Sequence, residues 1–194
     1  MNFGLKYVLG ETNMEIVSGK YKGRKLIAPV GETRPTLARV KNSIFSMIDE
    51  YIRGYRIIDL FAGSGAMGLE CVSRGAYQTV LVDNSATAEM AIKQNTRGMK
   101  ENVEFLKMDY LAALNTLHAR GDAFDIVFLD PPYASPYAQR AVDYMAKNDM
   151  ISRGGIVVYE HLADKNPLVL PQDFVVLKSK KYADKCVDII VFEE

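Results

Sequence analysis

Along this chain, short apolar runs alternate with stretches in which apolar residues return every three or four positions. The first pattern is that of buried strands and the second that of helices packed on them. From Arg56 onward the two take turns. Ile57–Phe61 predicts a strand and Gly65 to Arg74 a helix, ended by Gly75. Thr79–Val82 predicts the next strand, with a helix from Ala86 to Arg97. Val103–Leu106 is followed by a helix through Leu111–Leu117, and Phe124–Leu129 by a helix around Tyr137–Lys147. A strand at Gly155–Tyr159 comes next. The final runs, Phe174–Lys178 and Val187–Phe192, are joined by Ser179–Cys186 with no helix between them, which makes that pair antiparallel. The seven strands so read predict an α/β fold: a mostly parallel sheet, covered on both faces and finished by an antiparallel edge hairpin.

The first fifty residues follow a different plan. Residues 1–13 show no period and are expected to form a frayed leader, with Met14 an alternative start. Glu15–Val17 and Lys25–Ala28 predict a hairpin whose tip, Gly19-Lys20-Tyr21-Lys22-Gly23, is basic and aromatic between two glycines. Arg34-Pro35-Thr36 then opens a helix, with Thr36 as the expected N-cap. Leu37, Val40, Ile44, Ile48 and Tyr51 make one apolar stripe along it, while Arg39 and Lys41 fall on other faces. Residues 14–54 therefore predict a small basic appendage, fixed by that stripe to a main domain spanning 55–194.

Charge gives this division a meaning. The chain is neutral overall, yet Met14 to Lys41 holds seven basic residues against two acidic ones, a net +5 that the remainder balances. Such asymmetry points to an acidic partner at the basic end. A tip of this kind can meet phosphates through Lys20, Lys22 and Arg24 and stack a base on Tyr21. No apolar run approaches the roughly 20 residues that a bilayer crossing needs, and no secretory signal is visible, so a cytoplasmic location is expected. Cys71 and Cys186 lie far apart and predict a pair of buried, reduced thiols. With His118 and His161 the only histidines, a histidine-rich metal site is excluded.

The candidate chemistry lies at the carboxyl ends of the predicted strands, where open parallel sheets bind ligands. The first strand runs into Asp59-Leu60-Phe61-Ala62-Gly63-Ser64-Gly65-Ala66-Met67-Gly68, whose glycines fit G-x-G-x-x-G. They would supply a tight turn, close approach of backbone to a ligand, and close helix-on-strand packing. Asp83, 24 residues past Asp59, ends the second strand and can accept from both hydroxyls of a ribose. Asp109, past the third, is placed to read an adenine amino group. An acidic Asp59 disfavours a pyrophosphate at this spot, and a cationic sulfonium with an amino-acid tail, as in S-adenosylmethionine, suits it better. Asp130-Pro131-Pro132-Tyr133 ends the fourth strand with a carboxylate, a carbonyl and a ring that together can hold a planar amino-bearing group. His161, past the next strand, could line the same edge or pack structurally.

Asp59 to Gly68, Asp83, Asp109 and Asp130 to Tyr133 together resemble the class I S-adenosylmethionine-dependent methyltransferases that act on exocyclic amino groups. More narrowly, the chain is similar to the RsmD family of bacterial 16S rRNA guanine-N2 methyltransferases. The specific marks are Ser18-Gly19-Lys20-Tyr21-Lys22-Gly23-Arg24 and Arg34-Pro35-Thr36 with Arg39-Val40-Lys41 and Phe45; Leu69-Glu70 and Ser73-Arg74-Gly75-Ala76 add to them. Two positions depart from the family's usual pattern: Ser46 where Asn is usual, and Tyr182-Ala183 where the closing hairpin usually carries Tyr-Gly.

The resemblance implies a Rossmann-like methyltransferase fold, S-adenosylmethionine as methyl donor and no metal. It implies a cofactor site of Asp59, Phe61, Ala62, Gly63, Ser64, Gly65, Asp83, Asn84, Asp109 and Tyr110. Catalysis would fall to Asp130, Pro131, Pro132 and Tyr133. Lys20, Tyr21, Lys22, Arg24, Arg34, Thr36 and Arg39 would hold 16S ribosomal RNA, free or within the assembling small subunit, on a monomeric enzyme. A DNA adenine-N6 methyltransferase would use the same tetrapeptide but usually needs a recognition region larger than this appendage. A non-catalytic nucleic-acid-binding protein on the same scaffold would not need the full set of aspartates.

Overall fold

The computed structural model describes residues 9–29, 35–132, 135–163 and 167–193, leaving aside the side chains of 9–13, 29 and 35–38. Among them, strands β1 (Leu9–Glu15) and β2 (Lys25–Pro29) form an antiparallel ribbon. Helix α1 (Pro35–Ile48) follows, with a short 3-10 turn at Asp49–Tyr51. The main domain then alternates β3 (Arg56–Asp59), α2 (Ala66–Arg74), β4 (Gln78–Asp83), α3 (Ala86–Asn95), β5 (Val103–Lys107), α4 (Tyr110–Ala119), β6 (Phe124–Leu129), α5 (Tyr137–Lys147) and β7 (Ile151–Leu162). It closes with β8 (Phe174–Tyr182) and β9 (Lys185–Phe192).

These last seven strands make one sheet in the order β5-β4-β3-β6-β7-β9-β8. β3 to β7 are parallel, and β9 inserts antiparallel between β7 and β8. β3 pairs with β4 on one side and β6 on the other, so the strand order reverses at β3, and a crevice opens at that switch point.

Alternating side chains divide the core in two. Ile58, Leu60, Val127, Leu129, Val157 and Tyr159 pack on one face under α4 and α5. Ile57, Ile126, Phe128, Ile156 and Val158 pack on the other face with Val40, Ile44, Phe45 and Ile48 of α1. The ribbon joins through a third cluster, in which Ile16 and Leu26 meet Leu69 and Val72 of α2, Leu81 of β4 and Ile92 of α3.

Several boundaries differ from the sequence reading. β1 begins at Leu9, inside the segment expected to be a frayed leader, because backbone pairing with β2 needs no side-chain period. α1 begins at Pro35, so Thr36 lies within the first turn rather than capping it; a proline at the first helical position loses no hydrogen bond. The helical stripe ends at Ile48: after the 3-10 turn, Ile52 is buried in place of Tyr51, which is 37% exposed. Cys71 is buried as expected, but Cys186 is only half-buried, and neither is in a disulfide. Ala183 turns the β8–β9 hairpin at φ 53°, a conformation suited to the glycine usual there. Ser46 is exposed and donates its hydroxyl to the Ser43 carbonyl of its own helix at 2.7 Å.

Candidate active site

A cavity of about 720 Å³ opens at the switch point between β3 and β6. Its floor is the glycine loop after β3. Gly63, at φ 52°, donates its N–H to Asp83 Oδ2 at 2.9 Å, and Gly65, at φ 79°, caps α2 from behind the lining. Gly68 has no room for a side chain, since a Cβ would lie 2.3 Å from Leu81 Cδ2. The three glycines thus divide the work of turn, close approach and helix-on-strand packing.

The carboxylates follow the strand tips. Asp59 is buried and accepts the Gly68 N–H at 3.2 Å. Burial pushes its pKa up to about 7; the nearby Asp83 adds to the rise, while the Gly68 and Phe61 amides oppose it. Asp83 also accepts the Ser85 N–H at 2.8 Å, which fixes both of its oxygens. Asp109 caps α4 by accepting the Leu111 N–H at 2.9 Å, and its carboxylate is exposed at the rim. Asp59, Phe61, Ala62, Gly63, Ser64, Asp83, Asn84, Asp109 and Tyr110 line this one cavity together with Asp130, Pro131 and Pro132. Tyr133 and Arg34 lie outside the described residues, as does the side chain of Thr36.

Four contributors lie outside the site residues that the sequence singled out. Tyr137, at the start of α5, lies parallel to Phe61 with ring centroids 6.4 Å apart, and Tyr110 leans on both at 5.4 and 5.1 Å. Its nearest signal is position, four residues after the proline motif. Glu160, at the tip of β7, and Lys185, at the start of β9, form a buried ion pair on the cavity wall. An acid at the end of an apolar strand, the pattern that singled out Asp59, Asp83 and Asp130, would also have found Glu160. Its neighbour His161, for which this edge and a structural role were both open, is turned to the opposite face. There it stacks on Tyr159 at 4.7 Å and bonds Asp188 at 3.0 Å. One of its ring nitrogens, the Cys186 sulfur and an Asp188 carboxylate oxygen lie within 4.8 Å of one another, away from the cavity.

The fourth is Lys41, counted among the basic surface residues but buried against the cavity. It donates to Glu70 Oε2 and the Glu15 carbonyl, each at 2.8 Å. Glu70, fully buried on α2, also accepts the Val17 and Ser18 N–H groups at 2.9 and 3.0 Å and the Arg74 guanidinium at 2.9 Å. Burial works against the Glu70 charge, but Lys41, the Val17 amide and Arg74 outweigh it and hold the pKa below the usual carboxyl value. This carboxylate is what clamps the ribbon to α2. Gly19 completes the clamp: Lys20 N–H reaches the Ser73 carbonyl at 2.8 Å, and a Cβ on Gly19 would lie 1.9 Å from that oxygen.

The ribbon tip is partly neutralised. Lys20 and the Tyr21 hydroxyl both bond Glu101, at 2.6 and 2.5 Å, and Arg24 donates to the Arg97 carbonyl at 2.5 Å. Lys20 and Arg24 also lie over the half-buried Tyr21 ring, 5.4 and 5.7 Å from its centroid. Lys22 and Arg39 are exposed.

Sheet order, reversed final strand, glycine loop and acidic strand tips define the class I methyltransferase fold. Solved structures agree: a putative methylase from Haemophilus influenzae superposes with a TM-score of 0.77 at 29% identity, covering 95% of this chain and all of that one. Residues 14–191 match the family described as Conserved hypothetical protein 95, and the chain belongs to that family. Among curated relatives, the putative rRNA methyltransferase YlbH of Bacillus subtilis is 35% identical over 87% of this chain and 94% of its own length. The ribosomal RNA small subunit methyltransferase D of Haemophilus influenzae is 32% identical over 86% of this chain and 88% of its own.

Proposed function

We propose that this chain transfers a methyl group from S-adenosylmethionine to the exocyclic N2 amine of a guanine in small-subunit ribosomal RNA. One observation carries the reading: the Asp130-Pro131-Pro132 tip opens onto the same cavity as Asp59, Gly63, Asp83 and Asp109. A donor held by the second set would therefore lie beside an amine held by the first. The names of the relatives support rRNA as the substrate and methyl transfer as the reaction.

The residues present fit the donor. A buried carboxylate poised near neutrality at Asp59 suits a cationic amino-acid tail, Asp83 a ribose, and the Phe61, Tyr110 and Tyr137 rings with Asp109 an adenine. When bound, S-adenosylmethionine supplies an electrophilic methyl group on a positive sulfur. On the other side, the Asp130 carboxylate and Pro131 carbonyl accept the two protons of the amine. Fixed acceptors at that point orient the nitrogen and stabilise the positive charge that grows on it. Alignment of the two reactants supplies most of the rate, roughly 7–11 kcal/mol of barrier. Asp130 need not be a strong base, because the methylated nitrogen is acidic.

Tyr133 is assigned to stack on a base turned out of its helix, an interaction of roughly 1–3 kcal/mol. We assign residues 14–54 to RNA, with Lys22, Arg24, Arg34, Thr36 and Arg39 at the phosphates, and 55–194 to catalysis. Lys20 and Tyr21, tied to Glu101, contribute less than their types suggest. The reaction is placed in the cytoplasm, on a monomeric enzyme, with the RNA free or in the assembling subunit. No helix among the described residues is long and apolar enough to cross a membrane. The test is incubation of the protein with labelled S-adenosylmethionine and 16S rRNA, naked and in subunits, followed by mapping of the label. N2-methylguanosine at one position is expected; label on adenine, or none in either RNA form, overturns the reading.

A further inference from the structure

The buried Glu160–Lys185 pair has no part in the chemistry just described. Glu160 is 8% and Lys185 9% exposed, and the ammonium donates to the carboxylate. A buried ion pair is a weak stabilising device, because desolvating both charges offsets most of their attraction. This one faces the cavity rather than the packed core.

Its position is set by register. β6 and β7 run parallel with Leu129 beside Tyr159, so Asp130 and Glu160 leave neighbouring strand tips side by side. β9 continues the row, with Val187 opposite Glu160 and Lys185 opposite Leu162. Phe128, Val158 and Val187 share the sheet face covered by α1, and the alternation of a strand puts Asp130, Glu160 and Lys185 on that same face. An acceptor, a second acceptor and a donor thus stand in order along one wall.

We propose that Glu160 and Lys185 read the lactam edge of the target guanine. Glu160 accepts from N1–H and Lys185 donates to O6, while Asp130 and the Pro131 carbonyl hold the N2 amine. The inference rests on the guanine-N2 reading above and adds a specificity determinant to it. Among the bases with an exocyclic amine, adenine and cytosine present a bare ring nitrogen beside it, and guanine presents an N–H. A carboxylate next to Asp130 attracts that N–H and repels the lone pair of the other two.

The test uses the mapped target guanosine and the same RNA carrying 2-aminopurine there, which keeps the amine but lacks both N1–H and O6. Wild-type kcat/KM is expected to favour guanine by roughly 5- to 150-fold, the usual discrimination of a two-point base contact. In the double variant Glu160→Gln/Lys185→Met, which strands no buried charge, that preference should shrink to within about threefold, with S-adenosylmethionine affinity unchanged. A pair with only a structural role would slow both substrates alike and keep the ratio, and that result overturns the inference. So does a wild-type enzyme that methylates both bases equally, a readout that needs no variant to fold. A wild-type enzyme that methylates neither overturns the guanine-N2 reading itself, and this inference with it.

Discussion

The two walls of the cavity are built by different means. On the β3–β5 side, each carboxylate is fixed by backbone amides of its own loop or the next one: Asp59 by Gly68, Asp83 by Ser85 and by Gly63 of the neighbouring loop, Asp109 by Leu111. On the α1–β7–β9 side, the polar groups are long-range ion pairs, Lys41 with Glu70 and Glu160 with Lys185, buried between elements distant in sequence. The first wall is formed by adjacent strand–loop–helix units, with the Gly63–Asp83 bond tying the β3 loop to the tip of β4, so it can hold its shape once those neighbours pair. The second exists only once the ribbon, α1 and the closing hairpin have all docked. A shared donor suits the first wall, and selection of one substrate suits the second.

The sharpest way to break this contrast is Glu70→Ala. The change strands Lys41 in the interior and orphans the Val17 and Ser18 amides, so a loss of roughly 3–5 kcal/mol is expected in urea denaturation. Hydrogen exchange should speed up at Val17 and Ser18 first. A loss under about 1 kcal/mol would mean that apolar packing alone holds the second wall.

The first wall is probed by pH. Folding raises the Asp59 pKa from 3.8 to about 7, and a cationic donor prefers the ionised form. Binding should therefore release a proton below pH 7, with Kd rising up to tenfold per unit as pH falls and levelling off above pH 8. By the same shift, the folded free protein binds the proton more tightly than the unfolded chain does. This group's contribution to stability is thus largest below pH 3.8 and is lost as pH rises toward 7. Calorimetry of donor binding from pH 5 to 9 reads the first effect, and a flat profile would show Asp59 already ionised in the free protein.

Smaller effects separate residues that look alike in the sequence. Lys22→Ala should reduce the salt slope of RNA binding by roughly 0.7–0.9, the share of one phosphate contact. Lys20→Ala should reduce it less, because that ammonium is already held by Glu101. Equal slopes for the two variants would remove the distinction. Ala183→Gly should raise stability by about 0.5–1 kcal/mol in thermal melts, since it relieves a left-handed alanine.

The contrast also explains what could be read before the structure. β3 to β9 and the glycine loop were legible because strand runs, helical periods and glycine spacing are local signals. For the same reason Asp59, Asp83, Asp109 and Asp130 were legible as acids at strand ends. Glu160 gave that same signal, but its meaning depends on Lys185, which no local pattern joins to it. Lys41 read as a surface cation because nothing within a helical turn reveals Glu70. β1 was missed from Leu9 because its pairing lies in the backbone. Long-range chemistry shows one partner at a time in a sequence, and a lone charge reads as exposed.

The central claim is that the Asp130 tip holds the accepting amine beside a donor held by the opposite wall. Single-turnover methyl transfer by Asp130→Ala, measured with donor affinity in the same preparation, tests it most directly. The account predicts a rate lower by about 10²–10³-fold, the usual cost of one preorganised partner of developing charge, with donor Kd within about twofold of wild type. Wild-type turnover in that variant, or loss of donor binding in step with the rate, would contradict it.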